Sequence, residues 1–116
     1  CAAQVADVSI ERGRVRVHRI TCAIDCGMIV KPDTIHSQIE SAVVYGLTAC
    51  LKGSITIAGG KVEQGHFDNY PLLRIDECPE INVHIVDSTE PPGGVGEPGV
   101  PPVAPAVANA VFALTG

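Results

Sequence analysis

Tryptophan is absent from this chain, and its 116 residues include only two Phe, two Tyr and one Met. The formal net charge is −5, and no face is visibly rich in Lys and Arg. Lacking both stacking aromatics and a basic stripe, the chain has no footprint for nucleic acid. No apolar run approaches the ~18 to 20 residues that a membrane span needs, and no signal-peptide pattern is visible. Cysteine is present but unpatterned. Cys1, Cys22, Cys26, Cys50 and Cys78 are odd in number and irregularly spaced, which argues against a disulfide framework and for a reducing compartment. Glycine and proline are plentiful, at 12 and 9 residues. With 46% hydrophobic and 18% charged residues, the composition is that of one small globular domain with a modest core. The chain begins at Cys1 and stops at Gly116, directly after an apolar segment. We expect it to be a piece of a larger polypeptide.

Hydrophobic periodicity outlines the elements. Residues 4–10, with Val5, Val8 and Ile10, and residues 15–25, with Val15, Val17 and Ile24, alternate as strands around Glu11-Arg12-Gly13-Arg14. This predicts a hairpin. Ile35, Ile39, Val43 and Leu47 recur every fourth residue. That spacing predicts a helix over residues 34–52, capped by Asp33 or Thr34 and ended by Gly53. Gly46 inside it points to close packing. Ala58-Gly59-Gly60 separates two short strands, 54–57 and 61–64. Residues 66–75 read as irregular, and Ile81–Asp87 alternates strictly as a strand. A last helix, residues 103–115, has almost no polar face and is expected to be buried in a large protein. The fold class is therefore α+β: antiparallel strands and hairpins with two main helices. If isolated, the piece is expected to self-associate through the last helix.

Between the last strand and the last helix runs GGVGEPGVPPVAP, residues 93–105. Gly94, Gly96 and Gly99 match the G-x-G-x-x-G spacing of a dinucleotide-binding turn. That turn needs a strand running into the glycines and a helix starting within them. Here the strand ends near Asp87, Pro98, Pro101 and Pro102 delay the helix, and Glu97 would face the pyrophosphate. The other reading centres on Glu97 itself. Gly93, Gly94 and Gly96 let backbone pass close to something bulky, and Pro98 keeps Glu97 out of helical geometry. A carboxylate so mounted suits a general base once water is excluded from it. On the residues alone, an ordinary glutamate on a solvated surface loop remains the alternative.

Three stretches taken together resemble a known family. AIDCGMIVKPD, then SQIESAVVYGL, then GGVGEPGVPPVAPAVANAVFALTG are similar to the C-terminal end of molybdenum hydroxylase large subunits, the xanthine dehydrogenase and aldehyde oxidase superfamily. YPLLRIDECPEINVHIV with EPPGGVGEPG resembles in particular the branch called isoquinoline 1-oxidoreductase β subunit, whose members are often called aldehyde dehydrogenases. The resemblance spans about residues 15–116. It implies that residues 1–116 form the C-terminal part of the molybdopterin-binding domain of a larger subunit. It implies molybdenum carried by molybdopterin, in bacteria usually the cytosine dinucleotide form. Glu97 then matches the glutamate of the family's G-V-G-E motif, which acts as the base. Gln38 matches the glutamine of the Q-I-E-G segment, which hydrogen-bonds the pterin, and Gly96 lies close to the cofactor. No residue of this chain is implied as a metal ligand.

The resemblance further implies hydroxylation of an N-heteroaromatic or aldehyde carbon with oxygen from water. Electrons leave through 2Fe–2S clusters on a separate iron–sulfur small subunit. In the family the cofactor is gripped from several segments, so the piece alone is expected to be inactive. A non-catalytic binding or scaffold module that keeps the fold is the alternative. The sequence departs from the family at Lys31, often Asn, at Gly93, often Lys, and at Ser41, where Gly follows Q-I-E. On the residues alone, Gln38 is a surface glutamine beside an apolar stripe. His18, Cys22 and Cys26 stand four apart and are expected to share one side of a strand as packing residues. His36, His66 and His84 have no Ser or Cys partner at motif spacing, so triad chemistry is unsupported.

Overall fold

The computed structural model describes every residue from Cys1 to Gly116. β1 (Ala2–Glu11) and β2 (Arg14–Ile24) form the expected antiparallel hairpin. Its two central residues, Arg12 and Gly13, both have positive φ, 51° and 76°, the turn whose twist matches that of paired strands. Register passes from Asp7↔Arg19 to Val8↔Val17, leaving His18 as an extra residue on β2. This bulge reverses which side chains face the core. Val17 is buried on one side of it, and Ile20, Cys22 and Ile24 on the other. His18 therefore points to solvent, bonded to Ser9 Oγ at 2.7 Å, while Cys22 and Cys26 are buried. The expectation that all three share a side is corrected: spacing by four holds only in an unbroken strand.

β1 departs from its hydrophobic pattern as well. Val5 is 67% exposed, whereas Ala6 is buried and Ala2, Gln4 and Val8 are partly buried. Small residues line the inward face because the last helix packs directly over this strand.

α1 (Pro32–Leu51) starts two residues earlier than expected. Lys31 is the N-cap, and no side chain caps the helix, neither Asp33 nor Thr34. Proline in the first turn needs no N–H partner, and it holds the preceding residue extended. The predicted stripe is the buried one: Ile35, Ile39, Ala42, Val43, Gly46 and Leu47. Beyond α1, β3 (Ile57–Ala58) and β4 (Lys61–Val62) make a ribbon shorter than expected, turning on Gly59 and Gly60. Residues 66–74 are irregular, as expected, and lead to a single 3₁₀ turn, Ile75–Glu77. Lys52 donates to Glu77 at 2.5 Å, tying the end of α1 to this turn. That bond, first among several, holds the Glu77 carboxyl below the usual range.

β5 (Glu80–Ile85) then pairs with β2 in parallel, from Arg19↔Glu80 to Ile24↔Ile85. The sheet order is β1-β2-β5. It is therefore mixed, not wholly antiparallel, because α1 and its following segment carry the chain back before β5 forms. α2 (Val103–Thr115) matches the expected bounds. α1 packs on β2 and β5, α2 packs on β1, and the helices touch each other. Ile20, Cys22, Ile24, Ile39, Val43, Leu47 and Val103 are fully enclosed. The five cysteines are free thiols, and no helix is long and apolar enough to cross a membrane.

α2 buries only Val103 and Val107, leaving Phe112 70% and Leu114 58% exposed. Val30, Phe67 and Ile75 are each more than 80% exposed. Apolar surface of this kind marks contact with another body. The isolated chain is expected to self-associate. Sedimentation velocity should show mass rising with concentration, and a monomer across the whole range would count against it.

Candidate functional site

The segment between β5 and α2 has almost no secondary structure, yet it is held along its length. At its start, Met28 N–H donates to Glu90 O at 2.8 Å and Gly93 N–H to Cys26 O at 2.7 Å. Gly27, with φ of 76°, permits this approach; a Cβ there would run into the Pro91 carbonyl. Further on, Val100 N–H donates to Glu97 O at 2.9 Å and closes a turn with Pro98 and Gly99 at its centre. Gly99 is buried and does not have positive φ. Its need for glycine is spatial: an added Cβ would lie 2.8 Å from Ala42 Cβ and 3.3 Å from Ile39 Cδ1. Gly46 plays the reciprocal part on α1, where a Cβ would come within 2.8 Å of Val103 Cγ2. One helix face therefore clamps both the turn after Glu97 and the first residue of α2.

This clamp brings the predicted residues together. Gln38, Ser41 and Tyr45 of α1 face Gly96, Glu97 and Val100 across one cavity of about 500 Å³. A larger, mainly apolar groove of about 930 Å³ shares Ser41 and Tyr45 but contains none of the loop residues. The smaller cavity is the better candidate because both a carboxylate and an amide meet there. Gln38, Gly96 and Glu97 are all exposed. The chain's own atoms thus leave Glu97 open to water, as the surface-loop alternative has it.

Two observations fit these residues to a polar planar group such as molybdopterin. The N–H groups of Gly94, Val95, Gly96 and Glu97 donate to no acceptor within the chain, and Gly96 and Glu97 line one cavity with the Gln38 amide, which both donates and accepts. In addition, Gly94 and Gly96 have neither positive φ nor any atom within 4 Å of an added Cβ. Nothing in this chain requires glycine there, and the absence of side chains leaves the backbone open to close approach from outside. No three His, Cys, Asp or Glu side chains gather in the chain.

The family model for the molybdopterin cofactor-binding domain matches residues 1–79. The chain belongs to this family. Its relatives place it among molybdenum hydroxylase large subunits. It is 34% identical to the isoquinoline 1-oxidoreductase subunit β of Brevundimonas diminuta, over 98% of this chain and 15% of that protein. It is 37% identical to the membrane-bound aldehyde dehydrogenase (pyrroloquinoline-quinone) of Gluconacetobacter polyoxogenes, over 97% and 15%. The chain thus spans about 15% of the length of these curated relatives. Carbon monoxide dehydrogenase from Oligotropha carboxidovorans shares the fold, with a TM-score of 0.78 at 21% identity over 94% of this chain and 15% of that one.

Sequence reasoning missed Tyr45 and Val100 as cavity residues, although Ser41 stood out as a departure. It also missed Gln4, whose Nε2 donates to Gly99 O at 2.8 Å. The signal was there: Gln4 shares its parity with Ala6, so it faces inward, but the larger Val5 drew attention to the wrong face. The clamp itself is testable. Gly99→Ala should destabilise by about 1 kcal/mol or more, since overpacking costs ~1–3 kcal/mol. Gly46→Ala should destabilise less, by up to about 2 kcal/mol, because alanine gains ~1 kcal/mol in a helix. Denaturant unfolding checks this, and a more stable Gly46→Ala would contradict it.

Proposed function

We propose that this chain is the base-bearing, cofactor-facing segment of a molybdenum hydroxylase. The observation that carries this reading is the meeting of Gln38 with Gly96 and Glu97, remote from it in sequence, on one cavity. Gln38 hydrogen-bonds an edge of the pterin, donating and accepting at once. The free N–H groups of the Gly94–Gly96 stretch donate to the same cofactor. When bound, molybdenum with molybdopterin, in its cytosine dinucleotide form, supplies the two-electron redox chemistry.

Glu97 acts as general base. In the net reaction a water oxygen replaces hydrogen on the substrate carbon, releasing two protons and two electrons. A carboxylate oxygen of Glu97 accepts one proton as the carbon–oxygen bond forms. An iron–sulfur small subunit would supply 2Fe–2S clusters to accept the electrons. Substrates are N-heteroaromatics or aldehydes, a reading supported by the names of the two relatives. Because Glu97 is exposed in this chain, the rest of the large subunit and the substrate supply the dry surroundings. The chain alone is inactive for the same reason.

The test is Glu97→Gln in the full-length subunit, co-produced with its iron–sulfur partner. Turnover should fall by about 10²–10⁴-fold, the usual contribution of a positioned base, with molybdenum content unchanged. Turnover within a few-fold of the parent would refute the role of Glu97.

A further inference from the structure

We infer that Gln4 is a positioning residue for Glu97, acting through one peptide plane; this rests on the reading of Glu97 as the base. Gln4 lies on the inward face of β1, paired in register with Cys22. Its Nε2 reaches Gly99 O at 2.8 Å, a bond between residues 95 positions apart. The peptide unit that carries this carbonyl also carries the Val100 N–H, which donates to Glu97 O at 2.9 Å. One rigid plane is therefore gripped at both ends, by the Gln4 amide and by the carbonyl of Glu97 itself. The packing of Gly99 on Ala42 and Ile39 limits how near the turn can come to α1, but it does not fix the rotation of that plane. The Gln4 bond does.

The chemistry of the amide shows that this bond is not incidental. Gly99 O can only accept, so the amide must turn its NH₂ toward it. The same nitrogen lies 3.6 Å from Cys22 Sγ, a thiol that burial pushes up in pKa and that this contact partly offsets. Gln4 Oε1 is then left sealed from solvent with no donor. A buried acceptor without a partner lowers stability. Methionine, of nearly the same length, would fill the space without that penalty, so stability alone does not account for glutamine. What methionine lacks is the donor to Gly99.

The experiment compares Gln4→Met with the parent in the full-length subunit assembled with its iron–sulfur partner, with Glu97→Gln as reference. Loss of the donor should lower kcat about tenfold, in keeping with the cost of a small misplacement near the reacting atoms. KM and molybdenum content should hold, and the melting temperature should stay level or rise. Hydrogen exchange of the peptide spanning residues 97–103 should quicken, while that of α1 should not. Gln4→Asn keeps the amide but falls one methylene short, and should change kcat and exchange in the same direction.

An unchanged kcat beside an inactive Glu97→Gln would overturn the inference, as would unchanged exchange in the 97–103 peptide. A lowered melting temperature with loss of molybdenum would mark Gln4 as merely structural and overturn it too. Parent-like behaviour of Gln4→Asn would refute the direct bond. If Glu97→Gln keeps its turnover, it is the base reading that fails. The exchange result then still decides whether Gln4 holds the turn.

Discussion

The backbone of Gly99 lies against Ala42 with no room for a Cβ between them, and the location of Glu97 depends on that contact. Without it, the segment from Val86 to Pro102 would be a long tether. With it, the turn after Glu97 is seated on the same helix face that presents Gln38, one turn away from Ala42. Gly46 repeats the device one turn further along, seating Val103 and so the start of α2. Both contacts rely on a missing side chain, not on a bond. They use the stiffness of a packed interior, which yields poorly to even one extra methyl group.

Much of the fold was legible because apolar spacing reports burial directly. Ile35, Ile39, Val43 and Leu47 mark the buried face of α1, and Gly46 marks its point of closest approach. What escaped were features set by partners remote in sequence. The alternation of residues 81–87 reveals a strand but not its direction, so the parallel pairing of β5 with β2 could not be read from it. The bulge at His18 depends on how β1 meets β2, and no local pattern announces it. The early start of α1 follows from Pro32, which suits a first turn and makes Lys31 the N-cap in place of Asp33 or Thr34.

At the site, the motif-bearing residues Gln38, Gly96 and Glu97 were legible, and the structure brings them onto one cavity. Their support was less so. Gln4 is a polar residue among small ones on an edge strand, and its role becomes visible only when Gly99 is seen across from it. Glu97 is exposed here, since nothing within these residues covers it. The chain thus carries its own scaffold for the carboxylate, while the N–H donors at Gly94–Gly96 and the apolar end of α2 are left uncovered by the chain itself.

The most direct measurement is elemental and pterin analysis of the full-length subunit, co-produced with its iron–sulfur partner in a host shown to load a related enzyme. Close to one molybdenum and one molybdopterin per chain is the predicted result. Neither metal nor pterin, under the same conditions, would contradict the account and leave Glu97 a loop carboxylate on a binding module.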